Sequence, residues 1–392
     1  MRHARKFLCL AFLALAACDL RAASFGDAEK AKVDAIAEAW VKSGKSAGLV
    51  VGIASEGKML HAKGFGFADL EHNIPMTPDA ILRVGSINKQ FTSAAMMQLA
   101  EAGKVSLEDP LAKYFPEFPR GKDVTIRQVL NHTSGMFNYT AHDMPDAAKW
   151  RQEYTTEEMV KRIATYEPAY DFEPGTAYRY SNSGYYVAGA IIEKVTGEKF
   201  ADYLQKNVIA KAGLSADTAQ DDDERLVLPR RAVGYEAAQD KPGTYLKGDF
   251  IDMSVPGAAG ALRSTVTDLA AWHQALLTGK VVSAKSVAEM TAPGKLKDGK
   301  LSSTAIFRPT NAPPQQARRD PVPDYGLGLS TGTLSGRKMI VHTGGIQGFA
   351  AWLATFPDDR LTVVVLSNTD NGAAVARDIA LAALGIVEAP QP

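Results

Sequence analysis

The sequence predicts an α+β protein: one antiparallel sheet of about five strands, flanked by N- and C-terminal helices, with an all-helical domain inserted into it. Three observations carry that reading. Strand-like runs gather towards the two ends, as a hairpin before residue 70 and a three-strand meander after residue 337. Their short connections require antiparallel pairing. Between Asp109 and about Gly248 the texture changes to short helical patterns, prolines and aromatics. The sheet domain is therefore expected to combine residues 24–105 with 255–390, and the helical domain to occupy 106–254.

In order, residues 27–44 place Ala31, Val33, Ile36, Ala37, Trp40 and Val41 at helical spacing. Ala47–Ala54 and Met59–Asp69 read as two strands around the turn at Glu56, Gly57 and Lys58. A dense apolar helix runs from Ser86 to a glycine stop at Gly103. Tyr185–Lys194 is an apolar helix closed by Thr196 and Gly197. Thr267 and Asp268 open a helix that runs through Leu277. Residues 293–323, rich in Pro, Lys, Arg and Ser, are expected to form a mobile excursion. Lys338–Thr343, Gly348–Phe356 and Leu361–Leu366 are the last three strands, and Ala373–Leu384 the last helix.

Composition bounds the function. At 392 residues and 46% hydrophobic, the chain can bury a large core in two sub-domains. Its 44 basic residues balance 44 acidic ones, so no electrostatic footprint for nucleic acid exists. Asp221–Glu224 is expected to be a solvated acidic loop, because no metal-loop spacing surrounds it. Arg2, Arg5 and Lys6 precede a short apolar run, Phe7–Ala17, the pattern of an export leader. The end of that run, Leu15-Ala16-Ala17-Cys18, resembles a bacterial lipobox, which implies a lipoprotein-type signal peptide over 1–17 and lipidation of Cys18. Soluble export after ordinary cleavage is the competing reading. Cleavage removes Arg2, Arg5, Lys6 and Cys9, leaving 41 basic residues against 44 acidic and one cysteine, hence no disulfide. The expected location is the periplasm or cell envelope, with the lipid as the sole membrane attachment.

Chemistry concentrates at three short motifs. Ser-x-x-Lys occurs at Ser55–Lys58, Ser86–Lys89 and Ser335–Lys338, but only the middle pair opens a long apolar helix. There the two side chains share a face, and a desolvated lysine can assist removal of a serine proton. Tyr180-x-Asn182 lies on a loop just before an apolar helix, and His342-Thr343-Gly344-Gly345 ends a strand. His132, in Asn-His-Thr-Ser-Gly, reads as a turn residue bonded to backbone.

Together and in this order the motifs resemble the serine β-lactamase and penicillin-binding-protein superfamily, most closely its class C-like branch with DD-peptidases, D-aminopeptidases and esterases. The resemblance covers about residues 30–385. It implies Ser86 as the nucleophile of an acyl-enzyme, with Lys89 sharing in its deprotonation. Tyr180, between two cations, would be the proton carrier. Asn182, His342, Thr343 and Gly344 would bind substrate, and the backbone N–H groups of Ser86 and Gly345 would form the oxyanion hole. Histidine at 342, where class C β-lactamases have lysine, weakens the claim to carboxylate-bearing β-lactams. The implied activity is exported serine hydrolysis, without metal or organic cofactor, of D-amino-acid peptides (including peptidoglycan-derived ones), small esters or β-lactams. The alternative is a penicillin- or peptidoglycan-recognising protein that is acylated without turnover.

Overall fold

The computed structural model describes residues 25–143, 146–223, 225–238, 240–309 and 324–386. The expected leader 1–17, Cys18, residues 310–323 of the expected excursion and residues 387–390 of the expected sheet domain lie outside the described residues.

The main sheet has eight strands. They are β1 (Gly48–Ser55), β2 (Lys58–Asp69), β3 (Ile74–Pro75), β9 (Asp324–Tyr325), β10 (Ser330–Leu334), β11 (Arg337–Ile346), β12 (Phe349–Phe356) and β13 (Leu361–Ser367), in the spatial order β3-β2-β1-β13-β12-β11-β10-β9. Three shorter strands, β4 (Leu82–Arg83), β5 (Ala219–Gln220) and β8 (Leu262–Ser264), form a second sheet, and β6 (Tyr235–Ala237) pairs with β7 (Tyr245–Lys247). The five strands expected from the sequence are the contiguous centre, β2-β1-β13-β12-β11. The count of about five is corrected by three edge strands. Two of these are two residues long, and β10 is Ser-Thr-Gly-Thr-Leu, too short or too polar to show strand alternation.

The centre of the sheet is apolar on both faces because both are covered. Leu49, Val51, Ile53, Val363 and Val365 pack with Val33, Ala37 and Ile379 of the two terminal helices, Asp27–Lys42 and Ala376–Ala383. Val50, Val364 and Leu366 face the other way, into a core with Val266, Leu269 and Trp272 of the helix Val266–Leu277. A Cβ on Gly52 would come within 2.8 Å of Val266, so that glycine sets how closely the helix lies on β1. Thr265, accepting from the Asp268 N–H, caps this helix, which begins just before the expected Thr267.

The segment 106–254 holds the expected helices, including Asn182–Thr196 ended by left-handed Gly197, but also β5, β6 and β7. The start of the region read as an excursion is packed: Leu296 and Ser302 are buried, and Ile306 bridges to Tyr178. The helix expected from Ser86 is preceded by a 3₁₀ turn, Gly85–Ile87, and becomes α-helical at Asn88–Glu101. It is buried on nearly every side, as its lack of a polar stripe requires.

Candidate active site

Two glycines bring the turn before this helix against β11. Gly85 has φ +52°, and a Cβ there would lie 2.7 Å from the Gly345 carbonyl oxygen. A Cβ on Gly344 would lie 1.9 Å from the Val84 carbonyl oxygen. Backbone approaches backbone too closely for any side chain, and Ser86 is thereby held beside the strand edge. On Gly345 a Cβ would meet nothing within 4 Å, so the strand opens onto free space there.

Ser86 and Lys89 meet as the i, i+3 spacing requires: the Ser86 Oγ lies 3.1 Å from the Lys89 Nζ. Lys89 is fully buried. Its Nζ donates to Asn182 Oδ1 at 2.7 Å and to the Ala259 carbonyl at 2.7 Å, and Asn182 Nδ2 donates to Thr140 Oγ1 at 3.0 Å. No carboxylate is among these partners. Burial pushes the Lys89 pKa well below the usual lysine range. The same Nζ sits 4.9 Å from the centre of the Tyr180 ring. The Tyr180 hydroxyl is buried and has no hydrogen-bond partner of normal geometry among the described residues. Burial raises its pKa well above 10, opposed by the nearby Ser86 hydroxyl.

His342 departs from expectation. It is 5% exposed and lies under the strand edge, with both ring nitrogens engaged inside the protein. The Thr343 carbonyl, 2.6 Å from Nδ1, can only accept, so Nδ1 carries the proton and Nε2 accepts from the Tyr325 hydroxyl at 3.0 Å. Burial, reinforced by the Lys89 charge, drives its pKa to about 3. Burial thus lowers the pKa of both basic neighbours of Tyr180, Lys89 and His342. Thr343 lies on the exposed face of β11.

The cleft above Ser86 has a volume of about 530 Å³. Asn182, Gly344 and Gly345 line it near the serine, with Trp150 and Phe250 beyond. Among the described residues the charged groups lining it are Glu236, Asp249 and Asp370, with Asp249 3.7 Å from Arg151 Nη2. The Asp370 Oδ1 accepts from the Gly348 N–H at 2.7 Å. Burial, with Glu236 and Asp249 adding to it, raises the Asp370 pKa to about 6. These carboxylates come from β6, from the loop after β7 and from the turn after β13; no local motif joins them, and sequence reasoning missed all three. Ala259 was missed for the same reason, since it contributes only its backbone. Among the described residues no group of His, Cys, Asp and Glu is placed to hold a metal ion.

Asp221 was misread. It is buried and paired with Arg83 Nε at 2.9 Å, Arg231 Nη2 at 2.5 Å and Arg263 Nη1 at 3.3 Å. Arg263 also donates to the Gln220 carbonyl, the Gln220 amide donates to Asn88, and Asn88 donates to the Gly257 carbonyl. This network ties the start of the helix to the loop that supplies the Ala259 carbonyl. Of the other two Ser-x-x-Lys pairs, each spans a hairpin turn, Ser55–Lys58 between β1 and β2, and Ser335–Lys338 between β10 and β11.

Comparison with known proteins agrees with this arrangement. The Beta-lactamase family model matches residues 33–387. A penicillin-binding protein described as putative, PbpX of Bacillus subtilis, is 30% identical over 299 residues, covering 76% of this chain and 70% of that one. A D-aminopeptidase of Cereibacter sphaeroides is 29% identical over 350 residues, covering 88% of this chain and 61% of that protein. Among solved structures, a D-stereospecific amidohydrolase from Streptomyces sp. superimposes with a TM-score of 0.74 at 27% identity, over 89% of this chain and 97% of the other. By sequence over most of its length and by fold, the chain belongs to the Beta-lactamase family of serine hydrolases.

Proposed function

We propose that this protein hydrolyses amides and short peptides that carry a free amino-terminal amine, through an acyl-enzyme on Ser86. The observation that carries the reaction is the 3.1 Å approach of a buried, carboxylate-free lysine to the serine hydroxyl. As a neutral amine Lys89 has two N–H bonds, both donated, to Asn182 Oδ1 and to the Ala259 carbonyl, and one lone pair left for the Ser86 proton. Lys89 takes that proton as Oγ attacks the substrate carbonyl. The N–H groups of Ser86 and Gly345 receive the oxyanion, a type of contact worth about 3 kcal/mol per donor. Tyr180, still a phenol because its pKa is raised, hands its proton to the leaving nitrogen and recovers one from Lys89. Water then attacks the ester, and the proton it gives up returns through Tyr180 to Ser86.

The acidic lining selects the substrate. A substrate ammonium meets Glu236, Asp249 and Asp370, while among the described residues a substrate carboxylate finds no Lys, Arg or His in the lining and a neutral His342 below it. The D-aminopeptidase and D-stereospecific amidohydrolase relatives support D-configured amino acids as the acyl group. Turnover of a panel of D-alaninamide, N-acetyl-D-alaninamide and nitrocefin tests this. The first is expected to be the best substrate by kcat/KM, and preference for nitrocefin or the acetylated amide would reject the substrate reading. We also propose export by the leader 1–17 and lipidation at Cys18; metabolic labelling with a fatty-acid probe is expected for the native chain and not for Cys18→Ser.

A further inference from the structure

We propose that His132 is a positioning residue for Tyr180, gripping the backbone on both sides of it and backing its ring; this rests on the reading of Tyr180 as proton carrier. The His132 carbonyl accepts from the Arg179 N–H at 3.1 Å, and its Nδ1 accepts from the Ser181 N–H at 3.2 Å. The residues before and after Tyr180 are thus fixed by a single side chain and its own carbonyl. The His132 ring lies 4.3 Å from the Tyr180 ring, centre to centre, and the buried amine of Lys89 lies 4.9 Å from the centre of that same ring.

Three further observations mark His132 as more than a turn residue. It is 1% exposed, although it sits in a loop. Its φ is +61°, the left-handed region that disfavours side chains. Because Nδ1 accepts, the ring proton is on Nε2, which is buried with no hydrogen-bond partner among the described residues and is surrounded by the rings of Tyr180, Tyr185 and Tyr325. The left-handed φ serves a turn, but local turn stability needs neither the near-complete burial nor the three enclosing rings. Burial keeps the imidazole neutral, which preserves Nδ1 as an acceptor. The outcome is a phenol with one available position, which matters because an error of about 1 Å at such a group can cost about 10²-fold in rate.

The test compares two substrates with the same acyl group, D-alaninamide and D-alanine p-nitrophenyl ester. The amide's leaving nitrogen needs a proton and the nitrophenolate does not, so the ratio of their kcat/KM values reads proton delivery independently of the acyl pocket. Rates are normalised to the fraction of protein labelled by a fluorophosphonate. His132→Phe keeps a ring but loses the acceptor, and is expected to lower the amide-to-ester ratio about tenfold or more. His132→Asn tolerates the left-handed backbone and keeps an acceptor for Ser181, and is expected to stay within about threefold of the native ratio. Should His132→Phe not fold, His132→Ser, too short to reach Ser181, is read in its place with the same expectation. An unchanged ratio in the acceptor-less variant, or an equal loss on amide and ester, would overturn the proposal. Tyr180→Phe separates the two readings: an unchanged ratio there overturns the role of Tyr180 and the clamp with it. A fall in Tyr180→Phe without one in the acceptor-less His132 variant overturns the clamp alone.

Discussion

The Lys89 Nζ lies 3.1 Å from the Ser86 Oγ, and its two shorter contacts, to Asn182 Oδ1 and the Ala259 carbonyl at 2.7 Å each, are to atoms that can only accept. Burial lowers the pKa of a lysine held this way, the direction that favours its role as the base. Lys89→Arg removes the base while keeping a long cationic side chain, because guanidinium does not lose its proton. The expected outcome is a fall in kcat/KM of about 10²–10⁴-fold, measured on the amide and the nitrophenyl ester alike, since both need the serine deprotonated. In the native protein kcat/KM is expected to fall as pH drops through the lowered Lys89 pKa, the direction in which the amine gains a proton.

Asp370 is the pH-sensitive part of the substrate cleft. With a pKa of about 6, its carboxylate is charged above that pH and neutral below it. KM for D-alaninamide is therefore expected to rise as pH falls through about 6. Asp370→Asn, which keeps an acceptor for the Gly348 N–H, is expected to have a raised KM at about pH 7, where the substrate amine is still protonated, and no further rise as pH falls through about 6. The N-acetylated substrate, lacking the ammonium, is expected to be indifferent to the substitution.

Gly344 and Gly345 make a contrasted pair. Gly344→Ala drives a Cβ against the Val84 carbonyl oxygen at 1.9 Å, and backbone on both sides leaves little room to yield. Loss of about 1–3 kcal/mol of stability is expected from chemical denaturation, with β11 displaced from Ser86 and activity lost. Gly345→Ala meets nothing within 4 Å and is expected to stay within about 0.5 kcal/mol of the native protein.

Asp221 is a buried carboxylate shared by Arg83, Arg231 and Arg263. Asp221→Asn keeps the shape but removes the carboxylate that faces the buried Arg263 guanidinium. Destabilisation of about 3–5 kcal/mol is expected in urea denaturation, accompanied by loss of activity through Gln220 and Asn88.

What the sequence disclosed divides along a physical line. The central strands were legible because Val363, Val364 and Val365 and their neighbours form unbroken apolar runs between turn residues. The short strand β10, between β11 and the two-residue edge strand β9, was not, because Ser-Thr-Gly-Thr-Leu shows no apolar alternation. Ser86, Lys89, Tyr180 and Asn182 were legible as short local spacings, and folding does bring them together. His342 was legible as a position but not as a role: its burial and its bond from Tyr325 are tertiary facts. The acidic lining, the Ala259 carbonyl, the Asp221 ion cluster and the grip of His132 on Tyr180 join residues tens to hundreds of positions apart. Local pattern contains no trace of such pairings.

The most direct test of the account is where the acyl group goes. Native protein is mixed with D-alanine p-nitrophenyl ester, quenched in acid within its first turnovers and digested, and the peptides are read by mass spectrometry. The account expects one added D-alanyl group, on the peptide containing Ser86 and on that residue, and no adduct in Ser86→Ala. An adduct on another residue, or one that survives in Ser86→Ala, would contradict it.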